Sequence, residues 1–204
     1  MFSYLKSRWL LIPTFAIDFS SSNGLQTKKG TLHSLKNLND YEASLYQVGS
    51  IFEKLSFDNA FITYGFGAYL PEERKISNCF PLNGNSKNPQ IYGTIADVNS
   101  VYKEKLQSIT LAGPTYFNPL LKRFLKNVRK VRDFKVYNVL MILSDGFIHD
   151  FEDSKETIVD LSEYACSIVI VGLGVEKFNM MEEFDGDDKV LTDRRGRQVR
   201  RDIV

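Results

Sequence analysis

Three oxygen-bearing side chains at alternate positions, Asp18, Ser20 and Ser22, follow a short apolar run in the segment Thr-Phe-Ala-Ile-Asp-Phe-Ser-Ser-Ser-Asn at residues 14–23. One carboxylate with two hydroxyls is a hard, weakly charged ligand set that suits Mg²⁺ or a similar divalent ion better than zinc. The same string also occurs in ordinary turns and helix caps, so a metal reading needs further oxygen ligands elsewhere. Two candidates are present: Thr115 after Gly113-Pro114, and Asp145 between Ser144 and Gly146. Each has a plainer reading, Thr115 as the cap of a following helix and Asp145 as a structural loop residue.

These residues must be brought together by the elements that precede them. Thr14–Ile17 is rich in β-branched and aromatic side chains and too short for a helix, which predicts a buried strand ending at Asp18. Residues 24–38 lack a period and read as a surface excursion. Asn39 or Asp40 caps a predicted helix in which Tyr41, Leu45, Val48 and Leu55 recur at helical spacing. Phe61–Phe66 is a second strand, Ile76–Leu82 a short edge strand before the Asn83-Gly84 turn, and Ile95, Val98, Tyr102 and Leu106 mark a second helix. Phe117–Val131 is amphipathic, with Leu120, Leu121, Phe124, Leu125 and Val128 inward and Lys122, Arg123, Lys126 and Arg129 outward. Val136–Leu143 is the nearly continuous apolar run of a central strand. A helix over Lys155–Tyr164, a strand over Ser167–Val171 and a short helix over Glu176–Glu183 follow. This order predicts a Rossmann-like, doubly wound α/β fold with a mostly parallel sheet, its first strand beside the Val136 strand at the switch point. Asp18, Asp145 and the Thr115 loop then meet at one sheet edge.

The bulk numbers narrow the function. A chain of 204 residues with 43% hydrophobic content builds one core, and a formal charge of +1 gives no global field for nucleic acid. Cys79 and Cys166 are too few for a disulfide framework or a cysteine zinc site, which points to a reduced, cytoplasmic setting. Trp9–Ile12, broken by Pro13, is too short for a membrane span or secretory core, so any membrane contact is expected to be peripheral.

The set Asp18, Ser20, Ser22, Thr115 and Asp145 resembles the metal-ion-dependent adhesion site of von Willebrand factor A domains, in which such residues share one Mg²⁺. The likeness sharpens in Gly-Phe-Gly-Ala (65–68), Leu-Asn-Gly-Asn (82–85), Gly-Pro-Thr-Tyr-Phe-Asn-Pro (113–119), Ser-Asp-Gly (144–146), Val-Gly-Leu-Gly (171–174), Phe-Asp-Gly-Asp-Asp (184–188) and Arg-Asp-Ile-Val (201–204). These stretches resemble the A domain of copines. The resemblance implies residues 14–204 as the A-type domain, residues 1–13 as a lead-in from an upstream region, and a C-terminus cut short relative to that family. It also implies Mg²⁺, with Mn²⁺ or Ca²⁺ possible, an Asp145 that often reaches the metal through water, and intracellular partners offering an acidic side chain. Phospholipid binding and peripheral association with the plasma membrane would come from C2 domains, which are not among these residues. Serine at 20, where family members commonly have threonine, keeps the hydroxyl.

Nothing in these loops is arranged for acid–base or nucleophilic chemistry, so a non-enzymatic binding module is expected. The alternatives are a substrate-recruiting domain of a RING-type ubiquitin ligase, a metal-dependent hydrolase and a metal-free scaffold. His33 and His149 read as ordinary surface or loop histidines, and Asp185, Asp187 and Asp188 as a solvated turn rather than a calcium loop. Arg194, Arg195, Arg197, Arg200 and Arg201 form either an exposed hairpin or a patch for an anionic partner. Trp9 belongs either to an interdomain surface or to a packed cap.

Overall fold

The computed structural model describes residues 4, 6–56, 58–175, 178–186 and 189–204. Residues 176–177 of the last predicted helix, and Asp187 and Asp188, lie outside them, as do four residues of the lead-in. In chain order the elements are β1 (Leu10–Asp18), a 3₁₀ turn (Ser21–Asn23), α1 (Asp40–Leu55), β2 (Ala60–Phe66), β3 (Ala68–Leu70), β4 (Lys75–Ser77) and β5 (Phe80–Pro81). Then come β6 (Gln90–Tyr92), α2 (Ile95–Ser108), β7 (Thr110–Leu111), α3 (Asn118–Lys130), β8 (Val136–Ser144), α4 (Phe151–Leu161), β9 (Cys166–Gly172) and α5 (Asn179–Glu182). No helix among the described residues is long and apolar enough to cross a membrane.

The main sheet runs β5-β2-β1-β8-β9, with β6 also on β2. β1 pairs in parallel with both β2 and β8, and only the short β5 and β6 run antiparallel. This is the doubly wound α/β architecture of a von Willebrand factor A-type domain, with β1 and β8 side by side at its centre. Alternate side chains of these two strands feed opposite cores. Phe15, Ile17, Met141 and Leu143 pack under α1 and α2 with Tyr41, Leu45 and Tyr102. Ala16, Leu140 and Ile142 pack under α3 and α4 with Leu121, Phe124 and Ile158.

Several boundaries differ from the sequence reading, each for a local reason. β1 begins at Leu10 rather than Thr14, despite Pro13. The strand is flanked only by β8 up to that point, and β2 joins from Thr14 onward, so proline sits where β1 is not yet central. The predicted strand at Ile76–Leu82 divides into β4 and β5, which belong to different sheets; β4, β3 and β7 form a separate three-stranded sheet. α4 begins at Phe151, four residues before the predicted start. Trp9 is part of a packed cap: its ring meets Tyr4 edge-on at 4.8 Å, and Tyr4 lies 4.8 Å from Tyr137.

The α3 pattern matches its environment, with Leu120, Leu121, Phe124, Leu125 and Val128 buried. Leu140→Ala, in a strand buried along its whole length, should lower unfolding free energy by about 2–5 kcal/mol. Lys122→Ala, on the exposed face of α3, should change it by no more than about 0.5 kcal/mol. Urea unfolding of the two variants checks the pair of values.

Candidate metal centre

β1 and β8 end side by side, so the residues that follow them leave the sheet together. Asp18 is fully buried at the end of β1, and Asp145, one residue past β8, is 2% exposed. Ser20 N–H donates to Asp18 Oδ1 at 2.8 Å, and Ser144 Oγ donates to Asp18 Oδ2 at 2.5 Å. Ser20 Oγ and Ser22 Oγ are 2.9 Å apart. The loop carrying Ser20 is held against the start of the Thr115 loop by Ser21 N–H to Ala112 O and by the Ser20–Ala112 bridge. On its other side it passes so close to Gly67, at φ +76°, that a Cβ there would lie 3.0 Å from the Ser20 nitrogen. Glycine is required at 67 by both its conformation and this approach.

Thr115 is positioned from α4. His149 N–H donates to Thr115 O at 3.0 Å, while Thr115 N–H donates to His149 Nδ1 at 3.1 Å. The same Nδ1 also lies 3.3 Å from the Thr115 carbonyl oxygen, so the ring edge faces the Thr115 peptide on both sides. Asp150 takes the Phe117 and Asn118 N–H groups on its two oxygens, each at 2.8 Å, and so caps α3 from the N-terminal end of α4. Ser20, Ser22 and Thr115 line an open depression of about 670 Å³ rimmed by Phe147 and His149.

The five oxygen-bearing residues therefore converge. Their electrostatics is unusual: two buried carboxylates adjoin, and neither has a Lys, Arg or His ion-pair partner among the described residues. Asp145 Oδ1 is buried with no hydrogen-bond partner. Burial, and then the neighbouring Asp145 charge, push the Asp18 carboxyl up to about 7 against the pull of the Ser144 and Ser20 hydrogen bonds. No group of three or more His, Cys, Asp or Glu side chains gathers among the described residues. An ion here would be held by two carboxylates and neutral oxygens. An orphaned buried oxygen beside an all-oxygen donor set fits a hard divalent cation.

Behind this centre stands a group that the sequence reading missed. His33 is fully buried, not a surface histidine. Its Nε2 lies 2.6 Å from the Asp18 carbonyl oxygen and its Nδ1 2.7 Å from Tyr102 Oη. A carbonyl only accepts, so Nε2 carries the proton and Nδ1 accepts from the tyrosine. The ring stacks on Tyr41 at 4.0 Å and on Phe19 at 5.2 Å. Tyr41 O–H donates to Asn23 Oδ1, and Asn23 Nδ2 donates to Ser20 Oγ. Burial lowers the His33 pKa to about 3.

The arginine tail lies away from the centre, along the acidic face of α4. Arg194 pairs with Asp153 and Glu156, Arg197 with Asp160 and Asp193, and Arg200 with Glu163. Arg195 reaches Glu156 at 3.9 Å, and Arg201 donates to the carbonyls of Tyr164 and Cys166. These charges are matched within the chain.

The doubly wound sheet is of the von Willebrand factor A-like kind. A family model described as Copine matches residues 31–204, starting just after the Asp18 loop. The chain belongs to the copine family. Nicotinic receptor-associated protein 1 of Caenorhabditis briggsae is 35% identical over 192 residues, which covers 93% of this chain and 30% of that protein. Among solved structures, manganese-loaded Plasmodium vivax TRAP protein shares 14% identity at a TM-score of 0.47, over 84% of this chain and 61% of its own. Proximal thread matrix protein 1 of the mussel byssus shares 17% at 0.46, over 82% and 36%. At these scores the two structural likenesses support no statement about the site.

The two shifted groups give opposite pH slopes. Asp18 holds its proton more tightly when folded, so its contribution to stability is present below about 4 and is lost as pH rises through about 7. His33 resists protonation when folded, so its contribution is present above about 6.5 and is lost as pH falls towards 3. In chelator, Asp18→Asn should leave a stability that rises with pH between about 4 and 6.5, and His33→Gln one that falls over the same range. Urea midpoints at four pH values test this, and parallel profiles for the two variants would contradict it.

Proposed function

We propose that the chain is a divalent-metal-dependent protein-binding module. Asp18, Ser20, Ser22, Thr115 and Asp145 would hold Mg²⁺, with Mn²⁺ or Ca²⁺ as alternatives. The observation that carries this reading is the buried, unpartnered Asp145 Oδ1 beside an Asp18 carboxylate that no cationic side chain compensates. Buried charges of one sign are costly unless a counter-ion sits among them. When bound, the ion would supply an electrophilic coordination position that a carboxylate of a partner protein can fill. The chain's own residues do the rest: Ser144 and the Ser20 N–H orient Asp18, Asn23 orients the Ser20 hydroxyl, and His149 and Asp150 hold the Thr115 loop.

Copine family membership on an A-type fold supports a protein-interaction role. The relative from Caenorhabditis briggsae is named a receptor-associated protein, and a non-enzymatic association role is proposed here by the same token. His149 and Asp150, beside the Thr115 loop, are engaged by the backbone of residues 115–118, and His33 is engaged by the Asp18 carbonyl and Tyr102, which supports that reading over hydrolysis. The chain spans about 30% of the length of that relative. Phospholipid recruitment by C2 domains, and a cytoplasmic location with peripheral association at the plasma membrane, are proposals about the longer protein.

Calorimetric titration of Mg²⁺, Mn²⁺ and Ca²⁺ into chelator-treated protein tests the proposal. A single saturable site should vanish in Asp18→Ala and Thr115→Ala and weaken about 10–100-fold in Asp145→Asn. No heat with any of the three ions in folded protein would refute it.

A further inference from the structure

Surface charge is distributed unevenly. Residues 122–135 carry Lys122, Arg123, Lys126, Arg129, Lys130, Arg132 and Lys135 against the single carboxylate Asp133, in a chain whose whole formal charge is +1. The arginines of the C-terminal tail all lie against carboxylates or carbonyls. On α3 the opposite holds. Lys122, Lys126, Arg129 and Lys130 are exposed, and none has a carboxylate partner among the described residues. Arg129 is steadied by Tyr164 instead, its Nε donating to the phenol oxygen at 3.1 Å with the guanidinium 5.8 Å from the ring. Like charges four residues apart on a helix repel by a few tenths of a kcal/mol per pair, so the stripe is a small cost to the isolated domain.

The stripe is one wall of a groove. A concavity of about 650 Å³ separates α3 from α4, with Lys122, Lys126, Arg129 and Lys130 on one side, Leu125 within it, and Thr157 and Asp160 opposite. The Asp160 carboxylate is taken by Arg197 at 2.7 Å. The α3 cations therefore have no competing anion across the groove. Just beyond the end of α3, Phe134 is 65% exposed. A polypeptide segment can lie along this concavity, between the α3 cations and the Thr157–Asp160 side.

We propose that the α3–α4 groove docks an acidic polypeptide segment of a partner protein, its carboxylates on Lys122, Lys126 and Lys130. Successive lysines are four residues apart, about 6 Å along the helix axis, a step that a glutamate-bearing helix reproduces at every fourth residue. The stripe runs along α3 away from the Thr115 loop, so this contact is independent of the metal centre and leaves it open to a second contact.

The test is fluorescence anisotropy of a fluorescein-labelled 15-residue peptide with glutamate at every fourth position and leucine and alanine between, run in EDTA with the full chain. The expected result is saturable binding that weakens about 10-fold between 50 and 300 mM salt and falls about 10-fold or more in Lys122→Glu/Lys126→Glu/Lys130→Glu. Lys126→Gln alone, which keeps the fold under minimal perturbation, should lose about 2- to 4-fold. Asp18→Ala should bind the peptide like the wild type, which separates this surface from the metal reading. Equal binding of a peptide with glutamine for glutamate, or equal binding by the charge variants, would overturn the proposal. So would binding to phosphatidylserine-containing vesicles with none to the peptide, which would assign the stripe to anionic lipid.

Discussion

The burial of two adjoining carboxyls, Asp18 and Asp145, with no cationic side chain beside them is the constraint around which this domain is arranged. Each lies at the end of a central strand, out of water, and the hydroxyls and N–H groups directed at Asp18 offset only part of its desolvation. A chain built for stability alone would place an apolar side chain or an arginine here. The sheet instead delivers two carboxylates to one point, through the eight-residue parallel register between Leu10–Ile17 and Val136–Leu143. The loops around them add neutral oxygens and no cation.

The scaffold makes that arrangement tolerable. β1 and β8 are buried on both faces, so the strand ends have little freedom to move apart. The stacked rings of Phe19, His33, Tyr41 and Tyr102 fix the Asp18 carbonyl and, through Asn23, the Ser20 hydroxyl. Asp150 joins the N-terminal ends of α3 and α4, and His149 joins the Thr115 loop to the same segment. The same two helices form the basic groove on their outer side. One pair of helices therefore serves two surfaces, one at its N-terminal end and one along its flank.

Much of this was legible before the fold was known. The carboxylates and hydroxyls at the ends of apolar runs marked the candidate donors, and the uninterrupted Val136–Leu143 run marked the strand at the sheet's centre. The α3 stripe was visible as apolar residues at helical spacing with lysines between. What escaped was set by tertiary contact. His33 sits in an aperiodic segment, and its burial arises from side chains of α1 and α2 and from Phe19. β3, β4 and β7 are two or three residues long and exist only because they pair with one another. Asp150 caps a helix other than the one it precedes, so its spacing carried no sign of its role. The tail arginines read as free charge because the acidic face of α4 lies about 40 positions away in sequence and comes close only through the fold.

The most direct measurement of the metal centre is Mn²⁺ titration followed by ¹H–¹⁵N correlation spectra, since the paramagnetic ion broadens amides in its neighbourhood. The account predicts early and selective loss of signals from residues 18–23, 113–117 and 144–150, reversed by EDTA and absent in Asp18→Ala. Broadening centred on Asp185, or none at any residue of the folded protein, would contradict it.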